Sequence, residues 1–160
     1  MSAETLVTLL KKILILHQNL YKLSEQKTDI LKKGDIDALK DHMKEEQKFV
    51  TAIRQLDNER ISVVNHILGP HVEDKTVTKC LEIMDEPYRS ELSRIFKELV
   101  SVIDKLKDVN HLNQQLTHQS LQFVNMSLEM LLPQEQSVNY GKPTEPKEKK
   151  QSRSIFDSKA

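Results

Sequence analysis

Glycine and proline are scarce in this chain, three and five among 160 residues. That shortage excludes compact, turn-rich folds, because tight turns draw on both residue types. Tryptophan is absent, aromatic residues make up 4% and apolar residues 38%. Little material is left for a thick core, and the composition suits long amphipathic helices in one domain. A single cysteine, Cys80, excludes an intramolecular disulfide framework and a cysteine-based zinc site, and it points to a reducing, cytoplasmic setting. Neither sign of charge prevails, with 24 basic and 24 acidic residues, so the strong field of a nucleic-acid or anionic-membrane binder is missing. The longest early apolar run, Ile13 to Leu16, is too short for a signal-peptide core. Nothing approaches the roughly 20 apolar residues of a membrane span.

The few breakers divide the chain. Ser2 can cap a first helix whose apolar positions Leu6, Leu9, Ile13, Leu16, Leu20, Leu23 and Ile30 alternate spacings of three and four, with only Lys27 out of pattern. Lys32 and Lys33 suit the negative end of the helix dipole, Gly34 the left-handed position after it, and Asp35 the cap of the next helix. A tight antiparallel hairpin results. The second helix turns Ile36, Leu39, Met43, Val50, Ile53, Leu56, Val64 and Ile67 inward. It also carries Asp37, Asp41 and Glu45 three residues ahead of Lys40, Lys44 and Lys48, the pairing of a solvated helix face. Gly69-Pro70 ends it. A short connecting helix, capped by Asp74, places Val77, Cys80, Leu81 and Met84 at helical spacing.

Pro87 fits the first position of the last helix, which then meets no Gly or Pro before Leu132. The expected fold is all-α: an elongated antiparallel bundle or coiled coil of three long helices and a short connecting one. It comprises residues 3–33, 35–68, 75–84 and 87–132, followed by a disordered tail over 133–160 that holds three of the five prolines. The last helix continues the heptad through Leu92, Ile95, Leu99, Val102, Leu106 and Val109, then Leu116, Phe123 and Met130. It is longer than its neighbours, so its C-terminal part should overhang the Gly34 end. There Leu121, Val124, Leu128 and Leu131 form a second apolar row beside the first. A lone helix oily on two faces calls for a partner or for self-contact.

Chemistry is hard to find. The six histidines form neither HExxH nor an i, i+3 Glu-His pair, and His111 and His118 stand about 10.5 Å apart along a helix, too far to share one metal ion. Cys80 has no recognisable triad. The helical body has only Gly34 and Gly69, too few for a phosphate-binding loop. No catalytic residue, metal or cofactor is expected. A histidine phosphotransfer bundle, for which His42 and Lys44 are poorly spaced, ranks behind a binding module.

Several patterns together resemble the FlgN family of flagellar export chaperones, particularly its Gram-positive members. They are the leucine heptad leading into Lys32-Lys33-Gly34-Asp35-Ile36-Asp37-Ala38-Leu39; the helix from Gln47 through Leu56 to Glu59-Arg60; Asn110-His111-Leu112-Asn113-Gln114-Gln115-Leu116 with Ser120-Leu121-Gln122-Phe123, Leu128 and Leu131; and, toward the end, Tyr140-Gly141 and Ser154-Ile155-Phe156-Asp157-Ser158-Lys159-Ala160. The resemblance implies a cytoplasmic type III export chaperone. It would hold the C-terminal segments of the hook-filament junction proteins FlgK and FlgL, prevent their premature assembly and deliver them to the cytoplasmic domain of the export gate protein FlhA.

On that reading the partner-binding residues are Leu116, Leu121, Phe123, Val124, Leu128 and Leu131. Packing inside the bundle or a homodimer is the competing reading of the same row. Asn113 and Ser120 stand between partner contact and, like Ser127, polar registry of the helices. Tyr140, Ile155 and Phe156 stand between a gate or client contact and incidental tail residues. The rival from another class is a self-associating coiled-coil adaptor or scaffold unrelated to secretion.

Overall fold

The computed structural model describes residues 2–132; the tail expected over 133–160 lies outside them. Four helices follow one another: α1 (Ala3–Lys33), α2 (Ile36–Leu68), α3 (Val77–Ile83) and α4 (Tyr88–Leu131). The described residues contain no strand.

Local chemistry sets the helix ends. Ser2 Oγ accepts from the Thr5 amide at 3.3 Å, while Thr5 Oγ1 accepts from the Ser2 amide at 3.4 Å, a reciprocal cap that satisfies two orphan donors. Gly34 closes α1 at φ +69°, its N–H donating to Ile30 O and Leu31 O. Asp35 Oδ1 then accepts from the Ala38 amide at 2.9 Å and starts α2. Two expected starts need correcting. Thr76, rather than Asp74, caps α3, because its hydroxyl lies 3.3 Å from the Lys79 amide. Pro87 precedes α4 rather than opening it. The capping acceptor there is Glu86 Oε2, 3.2 Å from the Ser90 amide, since proline has no side-chain oxygen to offer.

α1 lies between α2 and α4, which have no Cα pair within 8 Å of each other. Cross-links give the directions. Near the Gly34-Asp35 turn Lys27 Nζ meets Glu46 Oε2 at 2.7 Å, while at the far end Thr5 and Leu9 share a pocket wall with Glu59 and Val63, so α2 runs antiparallel to α1. Lys11 pairs with Glu91, and Thr28 bonds Asn113, so α4 runs parallel to α1.

The core gathers at the α3 end. Leu6, Leu10, Leu92, Ile95, Val64 and Cys80 are fully buried there, with Val7, Leu9, Ile13, Leu14, Val63, Val77, Met84 and Leu99 around them. Each large aliphatic side chain so buried stabilises the fold by about 1.5–3 kcal/mol.

The inward seam of α2 is covered only in part: Leu39, Val50, Ile53, Leu56 and Ile67 are half-buried. Ile36 and Met43 are exposed, and Val63 and Val64 are its only fully buried residues. The reason is position: α4 sits across α1, so among the described residues no second helix closes over the N-terminal half of α2. The solvated face is as expected, with Lys44 and Lys48 reaching Asp41 and Glu45 at 3.4 and 2.6 Å.

Candidate partner-binding surface

Thr28 stands opposite Asn113 on the parallel α4, and α1 ends five residues later, at Lys33. α4 therefore leaves the bundle near His118 and projects about 20 Å further, to Leu131. Exposed apolar side chains concentrate on this projection. Phe123 is 71% exposed and Leu131 79%, and Leu121, Val124, Met126, Leu128, Met130 and Leu132 are exposed as well. Leu116, at the root, is half-buried. The helix can project because its backbone is satisfied internally and its small polar residues turn back on it. Thr117 Oγ1, Ser120 Oγ and Ser127 Oγ donate to Asn113 O, Leu116 O and Phe123 O at 2.8–2.9 Å.

The sequence-derived candidates separate accordingly. Leu121, Phe123, Val124, Leu128 and Leu131 lie together on the open projection. Ser120 is exposed beside them, its hydroxyl committed to its own helix. Asn113 is 4% exposed and faces α1: its Nδ2 donates to Ser24 O at 2.9 Å and its Oδ1 accepts from Thr28 Oγ1 at 2.6 Å. That is the registry arrangement, and both ends of the amide are occupied. Tyr140, Ile155 and Phe156 lie outside the described residues.

A second concave surface shares only Asn113 and Leu121 with those candidates. Because α2 and α4 straddle α1, a valley runs between them with α1 as its floor. One part, ≈ 540 Å³, lies between Met43 and Val50 on one wall and Asn110, Gln114 and Leu121 on the other. The next part, ≈ 520 Å³, lies between Val50 and Ile53 on one side and Phe96 and Ile103 on the other. Val50 lines both, so they are continuous. The sequence signal was Lys27, out of pattern in an apolar seam: the structure uses it to reach Glu46 on the wall.

No set of three His, Cys, Asp or Glu side chains among the described residues is placed to hold a metal ion. Cys80 is fully buried, and burial pushes its thiol pKa up while the charge of Arg60 pulls the other way, so the thiolate is disfavoured. His17 and His42 each bond a main-chain carbonyl, Ile13 O and Leu23 O. No described helix is long and apolar enough to cross a membrane.

A helical scaffold that leaves apolar rows uncovered at one end offers the surface of a protein-binding module. The FlgN protein family model matches residues 1–148, and the chain belongs to that family, whose members are chaperones of flagellar export rather than enzymes. The chain is also similar to a Bacillus subtilis (strain 168) protein described as uncharacterized protein YvyG, 37% identical over 161 residues and spanning 100% of both chains. No solved structure matches.

Proposed function

We propose that this protein is a cytoplasmic chaperone that holds the C-terminal segments of the junction proteins FlgK and FlgL and hands them to the cytoplasmic domain of the export gate protein FlhA. The observation that carries this reading is the projecting end of α4, whose two apolar rows are uncovered while the rest of the helix packs on α1. An amphipathic client segment laid along Leu121, Phe123, Val124, Leu128 and Leu131 buries its own apolar face and those rows together. The client's self-assembly surface is then occupied until export. Ordering the segment costs conformational entropy, which keeps affinity moderate and permits release at the gate. The protein itself need catalyse nothing.

The test is co-expression with FlgK and FlgL from the same genome, followed by purification of this chain and measurement of FlhA binding with and without client. Retention of FlgK or FlgL, and FlhA binding by the loaded chaperone, are expected. Failure to retain either client, with formation of a stable homo-oligomer instead, would favour the self-associating adaptor.

A further inference from the structure

The uncovered face of the projecting end continues the face by which α4 packs on α1. Leu92, Ile95, Leu99 and Asn113 are the buried residues of α4, and Asn113 bonds Ser24 and Thr28 of α1. From Asn113, steps of four and three residues lead through Thr117 to Leu121, Val124, Leu128 and Leu131, all on one stripe of the helix. α1 ends at Lys33, so the last 20 Å or so of that stripe lies open.

We infer that a second copy of this chain covers the stripe when no client is bound: two projecting ends lie antiparallel about a twofold axis near Val124, each tip pointing at the Gly34 turn of the other copy. The exclusion of this partner by a client rests on the chaperone reading above; the pairing itself does not.

The direction follows from the fold. In a parallel pair both α1 helices would stand between the two α4 helices, because α1 lies on this very face, and the projections could not touch. In an antiparallel pair each projection of about 20 Å meets only the other, and symmetry makes their lengths equal. Leu121 then stands opposite Leu128, and Thr117 opposite Leu131.

Charge and size fit a second copy held weakly. Glu129 is the one formally charged residue between His118 and Leu132, and it lies off the stripe, so no like charges meet at the axis. The last turn of α4 has no basic residue to offset the negative end of its dipole, whereas α1 ends on Lys32 and Lys33. Both lysines are exposed and form no ion pair among the described residues. Antiparallel pairing brings each α4 tip up to the other copy's pair of lysines. Two faces of this length bury on the order of 500 Å² per copy, below the roughly 800 Å² per partner of a standard interface, so the copies separate readily when a client segment competes for the stripe.

The experiment is sedimentation velocity on the full chain, without client, over concentrations from about 1 to 300 μM. A reversible monomer-dimer equilibrium is expected. Lys32→Glu with Lys33→Glu, which leaves the stripe untouched, should weaken it at least threefold, and a saturating peptide from the C-terminus of FlgK of the same genome should abolish it. Oxidative cross-linking reads the direction. Val124→Cys is expected to join two copies; Leu131→Cys should fail alone, its two positions standing about 21 Å apart, and succeed when mixed with Thr117→Cys. Cys80 is fully buried and takes no part. A monomer throughout the range, self-joining by Leu131→Cys as readily as by Val124→Cys, or a dimer that persists with peptide bound would each overturn the inference. A dimer that forms but binds no peptide would sink the chaperone reading and leave the pairing; a strict monomer that binds peptide would do the reverse.

Discussion

Thr28 and Asn113 meet at 2.6 Å, the hydroxyl donating to the side-chain carbonyl, although 85 positions separate them. With Asn113 Nδ2 on Ser24 O, this contact fixes the translation of α4 along α1, and therefore how much of α4 projects.

Asn113→Ala removes both bonds across the helix pair and leaves the Thr28 hydroxyl and Ser24 O only their 3.2 Å contact with each other within α1. The expected cost is about 1–3 kcal/mol, several degrees in thermal midpoint followed by circular dichroism. Thr28→Val combined with Asn113→Leu should recover much of that loss, because no polar side-chain atom at the contact is then left unmatched. Full additivity of the two changes would refute the coupling.

Lys27 and Glu46 form their ion pair at 22% and 14% side-chain exposure. Lys27→Met alone strands the carboxylate in a half-dry site and should lower stability by about 1–2 kcal/mol in urea unfolding. Adding Glu46→Leu should restore the midpoint to the original or above it. A double variant less stable than the single one would show that the pair contributes net stability.

Gly34 sits at φ +69° with open space where a Cβ would go. Gly34→Ala therefore tests backbone strain alone, and about 1–2 kcal/mol of destabilisation is expected. No change in unfolding midpoint would mean that the hairpin relaxes at no cost.

Leu121→Asp with Leu128→Asp should abolish FlgK retention while helicity by circular dichroism survives, since both side chains are exposed and outside the core cluster. Undiminished co-purification would rule out the projecting end as the client surface.

Removal of residues 134–160 should shift the thermal midpoint by no more than about 1–2 °C, because that stretch contributes few apolar residues to bury. A larger fall would mean that the tail docks on the bundle.

Helix ends were the most readable part of the sequence, because Gly34, Asp35 and Gly69-Pro70 act through local backbone chemistry. The row Leu6, Leu9, Ile13 and Leu20 was equally plain. What escaped was the second buried row of α1, Val7, Leu10, Leu14, Ser24 and Thr28. A single heptad stripe describes a helix with one neighbour, and α1 has two. The same omission placed Ile36 and Met43 inside, since a seam pattern does not say how far the neighbouring helix covers it. Asn113 and Ser120 look alike in sequence as polar seam residues. Only the packing of α4 on α1 separates a buried cross-link from an exposed hydroxyl bonded to its own turn. The projecting rows could be located from helix lengths; the valley could not, because it depends on which helix lies in the middle.

The central place of α1 also bears on biosynthesis. It is made before the two other long helices that settle on it, yet the side chain that completes its Ser24 and Thr28 surface is made 85 residues after Thr28. At typical translation rates of about 5–20 residues per second, that interval is on the order of ten seconds. A member of a chaperone family thus carries a leucine-rich helix that itself needs shielding until α4 has been made.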